Sequence, residues 1–374
     1  MKQFNAYIFN RHLGVSLIEL LVAVAIGSFM MLGLTTTFRN SSESQRALTK
    51  ASQLIENGRY AISILDEDLR HAGYYGHFYE LADPPTNAPD PCEISSLTRL
   101  TQGMSVPVQS YTAANFSTRA AITSTPTTCH ASLLTDANLS PGSDILVIRR
   151  ANTGVFTGTP NTNEVYIQSN ARSANLMYGD SNANVPTDTA DNNTTTNLKM
   201  FPNQPGNTTS ADTRSYDVHV YFIAPCSFGS GANDICTAND DDIPTLKRLE
   251  LSSDGTNTKM NIEPLVEGIQ LMKLEYGLDT SPTTVNPVTD SQGDGVPDSY
   301  VSSPTQAQWP AVVSIGVHLL ARSPQETRSY TDTKVYTLAG STVTASLTSD
   351  SFKRHVFSTE VRPMNMSGRR EIPE

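Results

Sequence analysis

The sequence predicts an α+β fold: one long N-terminal helix packed on a head that is mainly antiparallel β-sheet with long loop insertions. Three observations carry this expectation. A twenty-residue apolar run, Val15 to Leu34, holds a single charge, Glu19. Behind it, small and apolar residues recur at spacings of three and four as far as Ala72. From Asp144 onward, short β-branched and aromatic runs follow one another with no helical pattern between them, which favours antiparallel pairing.

The apolar run is long enough to cross a membrane, since about 1.5 Å per residue takes a helix of this length through the roughly 30 Å bilayer core. Ahead of it lie Lys2 and Arg11 and no acid, so the positive-inside rule keeps that end cytoplasmic and exports everything after Arg39. Three readings compete. A cleaved secretory signal fits the basic flank, but the length of the run and a carboxylate four residues into it count against that reading. A plain signal anchor leaves Glu19 as an unexplained charge in lipid, costing about 2.5–3.5 kcal/mol on insertion scales. In the third, Glu19 is functional and a cation at nearly the same depth neutralises it. Snorkelling of Glu19 to the cytoplasmic interface is the bland alternative.

The second half of the helix follows from the stripe Ala47, Ala51, Leu54, Gly58, Ala61, Leu65, Leu69 and Ala72, with Glu43, Arg46, Lys50, Glu56 and Asp66 off it. Gly73 stands where a C-terminal cap glycine is expected. Strands are expected over Asp144–Arg150, Asp217–Ala224, Thr245–Leu251, Gly268–Tyr276, Val312–Arg322, Thr333–Leu338 and Phe352–Val361. Residues 80–140 are rich in Pro, Thr and Ser, and residues 152–215 in Asn and Thr; both read as loop insertions.

Hydrophobic residues at 38% with 22 Gly are ordinary for a globular protein and exclude a disordered chain. A net charge of −11 argues against nucleic-acid binding, which needs a basic face. Cys92, Cys129, Cys226 and Cys236 allow three pairings in an oxidising compartment, and loop proximity favours 92 with 129 and 226 with 236. Spaced carboxylates at Asp290, Asp294 and Asp298 around two glycines make a candidate calcium loop, against the reading of a solvated turn. No other cofactor is expected. Catalysis has no foothold: GxSxG, HExxH, the phosphate-binding loop and GxGxxG are all absent, and no pair of acids is nominated.

The stretch Gly14-Val15-Ser16-Leu17-Ile18-Glu19-Leu20-Leu21-Val22-Ala23 resembles the type III signal of type IV pilins, with a short basic leader, Gly at the cut and Glu as the fifth mature residue. The resemblance implies cleavage by prepilin peptidase between Gly14 and Val15, N-methylation of Val15, and docking of Glu19 on a neighbour's amine. Two departures stand out: Val15 where the family usually has Phe, and Thr36 where many major pilins carry a kinking Pro. Farther on, Glu56–Ala61 with Asp68–Tyr74, Leu265–Gly277, Asp294–Val301 and Val312–Leu320 resemble PilW-type minor pilins.

The implied organisation is a prepilin leader at 1–14, a transmembrane and filament-core helix at 15–39, its amphipathic continuation at 40–73, and a periplasmic head at 74–374. The implied role is a non-enzymatic minor pilin that helps initiate type IV pilus assembly and sits at the tip. A pseudopilin of a type II secretion system and a ligand-binding tip adhesin are the alternatives. Implied partners are other minor and major pilins, prepilin peptidase, the inner membrane and the pilus assembly platform.

Overall fold

The structure is a computed structural model that describes residues 14, 16–79, 81–111, 129, 133–179, 198, 200, 209–281, 293–328, 330–343 and 350–371. The chain divides into two compact units, Met1–Ala51 and Ser52–Glu374. In the first, the described residues are almost wholly helical and belong to α1 (Leu17–Arg70), which ends in the second. The apolar side chains of the first unit, from Leu17 to Phe38, are exposed, as an element solvated by lipid or by other helices requires.

In the second unit, α1 buries Leu54, Gly58, Ala61, Leu65 and Leu69, the stripe read from the sequence, and Ala72 follows just past its end. The helix stops at Gly73, whose φ of 71° is a left-handed conformation that costs a glycine nothing. Gly58 has a different reason to lack a side chain. A Cβ there would stand 2.1 Å from the Phe357 ring, so the helix rests directly on that aromatic face.

The head holds thirteen strands among the described residues, in three antiparallel sheets. The largest comprises β1 (Val108–Tyr111), β2 (Ile145–Ala151), β3 (Val165–Ser169), β4 (Ala174–Tyr178), β5 (Thr213–Ala224), β6 (Thr245–Ser253) and β7 (Thr258–Glu267). Long β5 is its centre: β2 pairs along one edge, while β3 and then β6 share the other. A second sheet runs β13 (Arg354–Val361), β10 (Val312–Arg322), β8 (Ile269–Leu278), β9 (Ser299–Val301), and β11 (Tyr336–Leu338) with β12 (Ser341–Val343) forms a hairpin.

Both faces of the large sheet are covered, which explains why β2 and β5 are buried along nearly their whole length. Val218, Val220 and Phe222 point into one core with α2 (Leu97–Met104) and the four cysteines. Tyr221 and Ile223, one residue out of phase, point into the other, where α1 packs with β8 and β10. The outer face of the second sheet, through Leu271 and Leu320, is covered by the β11–β12 hairpin.

Several expected boundaries shift, and the two segments read as loops carry structure. Residues 80–140 contain α2 and β1, and residues 152–215 contain β3, β4 and the start of β5. β3 is buried along its whole length, so its five residues carry no alternation, and its flanks are polar enough to hide it. β7, not among the expected strands, contains Pro264; the structure places it at the sheet edge, paired with β6 alone among the described strands, where a missing N–H is harmless. The runs expected from Thr333 and Phe352 begin later, at Tyr336 and Arg354, because Asp332 and Asp350 hold the preceding turns against Arg354.

Candidate functional site

The helix start is built from Ser16 and Glu19. The Glu19 amide donates to Ser16 Oγ at 3.2 Å, and the Ser16 amide donates to Glu19 Oε2 at 3.0 Å. This reciprocal pair is a capping box: two amides that the helix leaves without partners are satisfied, and the carboxylate sits at the positive end of the helix dipole. The Ser-x-x-Glu spacing was legible in the sequence as a helix start, a role the reading of Glu19 as a docking group did not include. Gly14 and Ser16 are exposed; Val15, on which the cleavage and methylation expectations fall, lies outside the described residues.

Within the apolar stretch the hydroxyls are satisfied internally. Ser28 donates to the Val24 carbonyl at 2.7 Å, Thr35 to Met31 at 2.6 Å, and Thr36 and Thr37 both to Gly33 at 2.8 and 3.0 Å. Each removes an unsatisfied polar group that lipid would penalise. The helix is long and apolar enough to span a bilayer.

A second cluster lies in the head where α1 meets the large sheet. Asp68 is buried and its carboxylate receives Arg150 Nε and His219 Nδ1, each at 2.6 Å, and the Tyr221 hydroxyl at 2.9 Å. Arg150 also pairs with Asp217 at 3.0 Å. Burial pushes the Asp68 carboxyl up, but the His219 and Arg150 contacts outweigh it and hold the group well below the usual carboxylate range. Asp217 goes the other way: burial raises it and Arg150 only partly compensates. The Tyr221 phenol is raised by burial and by Asp68, so it stays a donor. These contacts form a clamp that fixes the last turn of α1 to β2 and β5. A cavity of about 520 Å³ opens beside it, lined by Tyr60, Glu67, His71 and Arg248 among others. Sequence reading missed Asp68, although the signal was there: Leu65, Asp68 and Ala72 continue the stripe at its own spacing.

Comparison with protein-family models finds two matches, the prokaryotic N-terminal methylation motif over residues 9–35 and the type IV pilus-assembly protein W family, PilW, over residues 220–365. The first falls on the Ser16–Glu19 helix start, and the second begins in β5 and ends just past β13. Together the two matches support a type IV pilin-like protein of the PilW type. No curated protein matches it. Among solved structures, a type IV-like pilin from Thermus thermophilus matches at 16% identity and a TM-score of 0.18, covering 40% of this chain and 79% of that one. The assignment rests on the two family matches.

The cysteines form two disulfides, Cys92–Cys129 and Cys226–Cys236, the short-loop pairing. Asp90, Cys92 and Cys129 come together as a metal-binding trio would, but both sulfurs are spent in the disulfide, which leaves no thiolate to ligate. In the acidic loop, Asp290 lies outside the described residues. Asp294 Oδ1 accepts the Val296 amide at 2.9 Å, while Asp298 Oδ2 accepts the Thr280 amide and hydroxyl, each at 2.8 Å. These are turn-capping roles, and among the described residues no third acidic, His or Cys ligand joins the two. The Asp240–Asp242 run behaves alike: the Thr237 amide and the Ser230 hydroxyl and amide hold the Asp240 carboxyl down to about 2.

Proposed function

We propose that this chain is a minor pilin, without enzymatic activity, that joins a complex of pilins to initiate type IV pilus assembly and is retained at the pilus tip. The observation that carries this reading is the presence of an assembly-protein match and a prepilin methylation motif on one chain. After cleavage at Gly14, the new amine of Val15 lies four residues from Glu19, and the Glu19 of an incoming subunit neutralises the amine of its neighbour. The N-terminus faces the cytoplasm, the head is periplasmic, and assembly carries the subunit into the fibre. Prepilin peptidase, the assembly platform and the other pilins are its partners.

N-terminal sequencing of membrane-extracted protein is expected to begin at methylated Val15, with the charge moving from −11 to −13 as Lys2 and Arg11 leave. Glu19→Ala is expected to be cut normally yet to leave cells without pili. An intact Met1, or wild-type pilus numbers in that variant, overturns the reading.

A further inference from the structure

Outside the Asp68 clamp and the helix start, the head carries one apolar groove of about 430 Å³, lined by Tyr79, Leu81, Pro84, Pro107, Trp309 and Met366. Its walls are rigidly placed. A capping box at Thr305, with Gln308 returning to the Thr305 amide at 2.8 Å, starts the short helix that carries Trp309 and Pro310. The Trp309 ring is braced edge-on against buried Tyr276 at 5.1 Å. Opposite in sequence, the turn Met364–Ser367 places Met366 and then Arg369 along the same groove.

Arg369 is the odd member of this lining. Arg150, Arg354 and Arg370 are largely buried and each meets a carboxylate, at 2.6, 3.1 and 3.4 Å. Arg369 donates one Nη2 bond to the Gly73 carbonyl at 3.1 Å, and its Nε is buried with no acceptor among the described residues. No described carboxylate lies within ion-pair distance of it; Asp83, which also lines the groove, is exposed and makes no pair with it. Burial without an anion leaves the guanidinium easier to deprotonate than usual. Nε is closed to a ligand, but the guanidinium is only part-buried and has no carboxylate partner among the described residues, so an arriving carboxylate can pair with its open edge. Apolar walls beside a part-buried cation, with the exposed Asp83 out at the rim, define the complement: an extended peptide with an acidic residue next to an aliphatic one.

We propose that this groove docks a segment of a neighbouring pilin in which a carboxylate stands beside an aliphatic side chain, the carboxylate completing Arg369 and the aliphatic group resting on Trp309 and Pro107. That the partner is a pilin rests on the function proposed above; the chemistry of the groove does not. A groove of this volume holds two or three side chains, so the contact is one element of a larger interface.

Trp309 is the sole tryptophan of the chain, so its emission reports the groove directly. The full-length protein in lipid nanodiscs is titrated with the blocked peptide acetyl-Ala-Leu-Glu-Leu-Ala-amide and with its Gln twin. A saturable change in Trp309 emission is expected, at least tenfold tighter for the Glu peptide. Arg369→Gln should bring the two peptides to equal affinity, and Tyr79→Ser, at an exposed rim position, should weaken both alike. Equal binding of the two peptides by the wild-type protein, or no change in emission, overturns the proposal.

In cells, photoreactive benzoylphenylalanine at position 79 should crosslink to a second pilin at a peptide carrying Asp or Glu. Crosslinking to lipid alone, or to another copy of this chain, overturns the choice of partner. If the Glu peptide binds selectively while Glu19→Ala cells are fully piliated, the pilus reading fails and the acidic-peptide groove stands. If piliation needs Glu19 and the peptides are indistinguishable, only the groove falls.

Discussion

Replacing Asp68 with Asn tests the clamp at the end of α1. The substitution keeps the shape of the side chain and removes the charge that Arg150 and His219 face at 2.6 Å inside the protein. Breaking one side of a buried pair costs about 3–5 kcal/mol, because the partner is left desolvated and unmatched. Arg150 keeps Asp217 at 3.0 Å, which places the expected loss toward the lower end of that range. At about 2 °C per kcal/mol for a head of this size, the melting temperature should fall by about 6–8 °C. The assay is thermal unfolding of the full chain in nanodiscs, followed by near-ultraviolet circular dichroism.

The pH dependence has a definite sign. The folded-state pKa of Asp68 is depressed, so its contribution is complete above the unfolded value of about 3.9 and is lost as pH falls through the lower folded value. The gap between wild type and Asp68→Asn should therefore be constant from pH 5 to 7 and shrink below about pH 4. Arg150→Met added to Asp68→Asn should deepen the loss, since it leaves the largely buried Asp217 without its cation. A variant within about 0.5 kcal/mol of wild type at neutral pH would refute the reasoning, because that is the range of ordinary surface substitutions.

Other outcomes follow from the same structure. Gly58→Ala should destabilise the head by about 1–2 kcal/mol despite a gain in helix propensity, because the new methyl meets the Phe357 ring; Phe357→Leu should relieve it, and denaturant unfolding of both variants checks this. The intact protein should show no free thiols under denaturing, non-reducing conditions. Losing Cys226–Cys236 should cost about 3 kcal/mol and losing Cys92–Cys129 about 4 kcal/mol in the chain-entropy account, since the latter closes the longer loop. Melting curves taken with calcium and with chelator should coincide, Asp294 and Asp298 being occupied in separate turns.

What was legible in the sequence was whatever rests on periodicity. The α1 stripe announced its own buried face because residues three and four apart share a side of a helix, and β10 was bounded correctly because its apolar run ends sharply at Arg322. β3 and β4 were not legible, since two five-residue runs between polar flanks carry no period of their own; β3 owes its state to β5, and β4 owes its state to β3. Asp68 was hidden for the opposite reason. Its position follows the stripe, but its chemistry is fixed by Arg150 and His219, 82 and 151 residues away, and no local pattern connects them. Arg369 is similar: only the fold shows that Arg370 found Asp279 and that its neighbour found no acid.

The contact of Gly58 with Phe357 has a consequence in time. About 300 residues separate the two, so the surface of α1 that β13 covers is made early and sheltered last. At ribosomal speeds of roughly 5–20 residues per second, that interval lasts about 15–60 s. Through part or all of it Leu54, Ala61 and Leu65 wait for strands that are still being translated. A nascent chain of this design has a long interval in which its stickiest stripe is uncovered. Chaperones have that window in which to act, and a truncation before Val312 removes both β10 and β13 from this core.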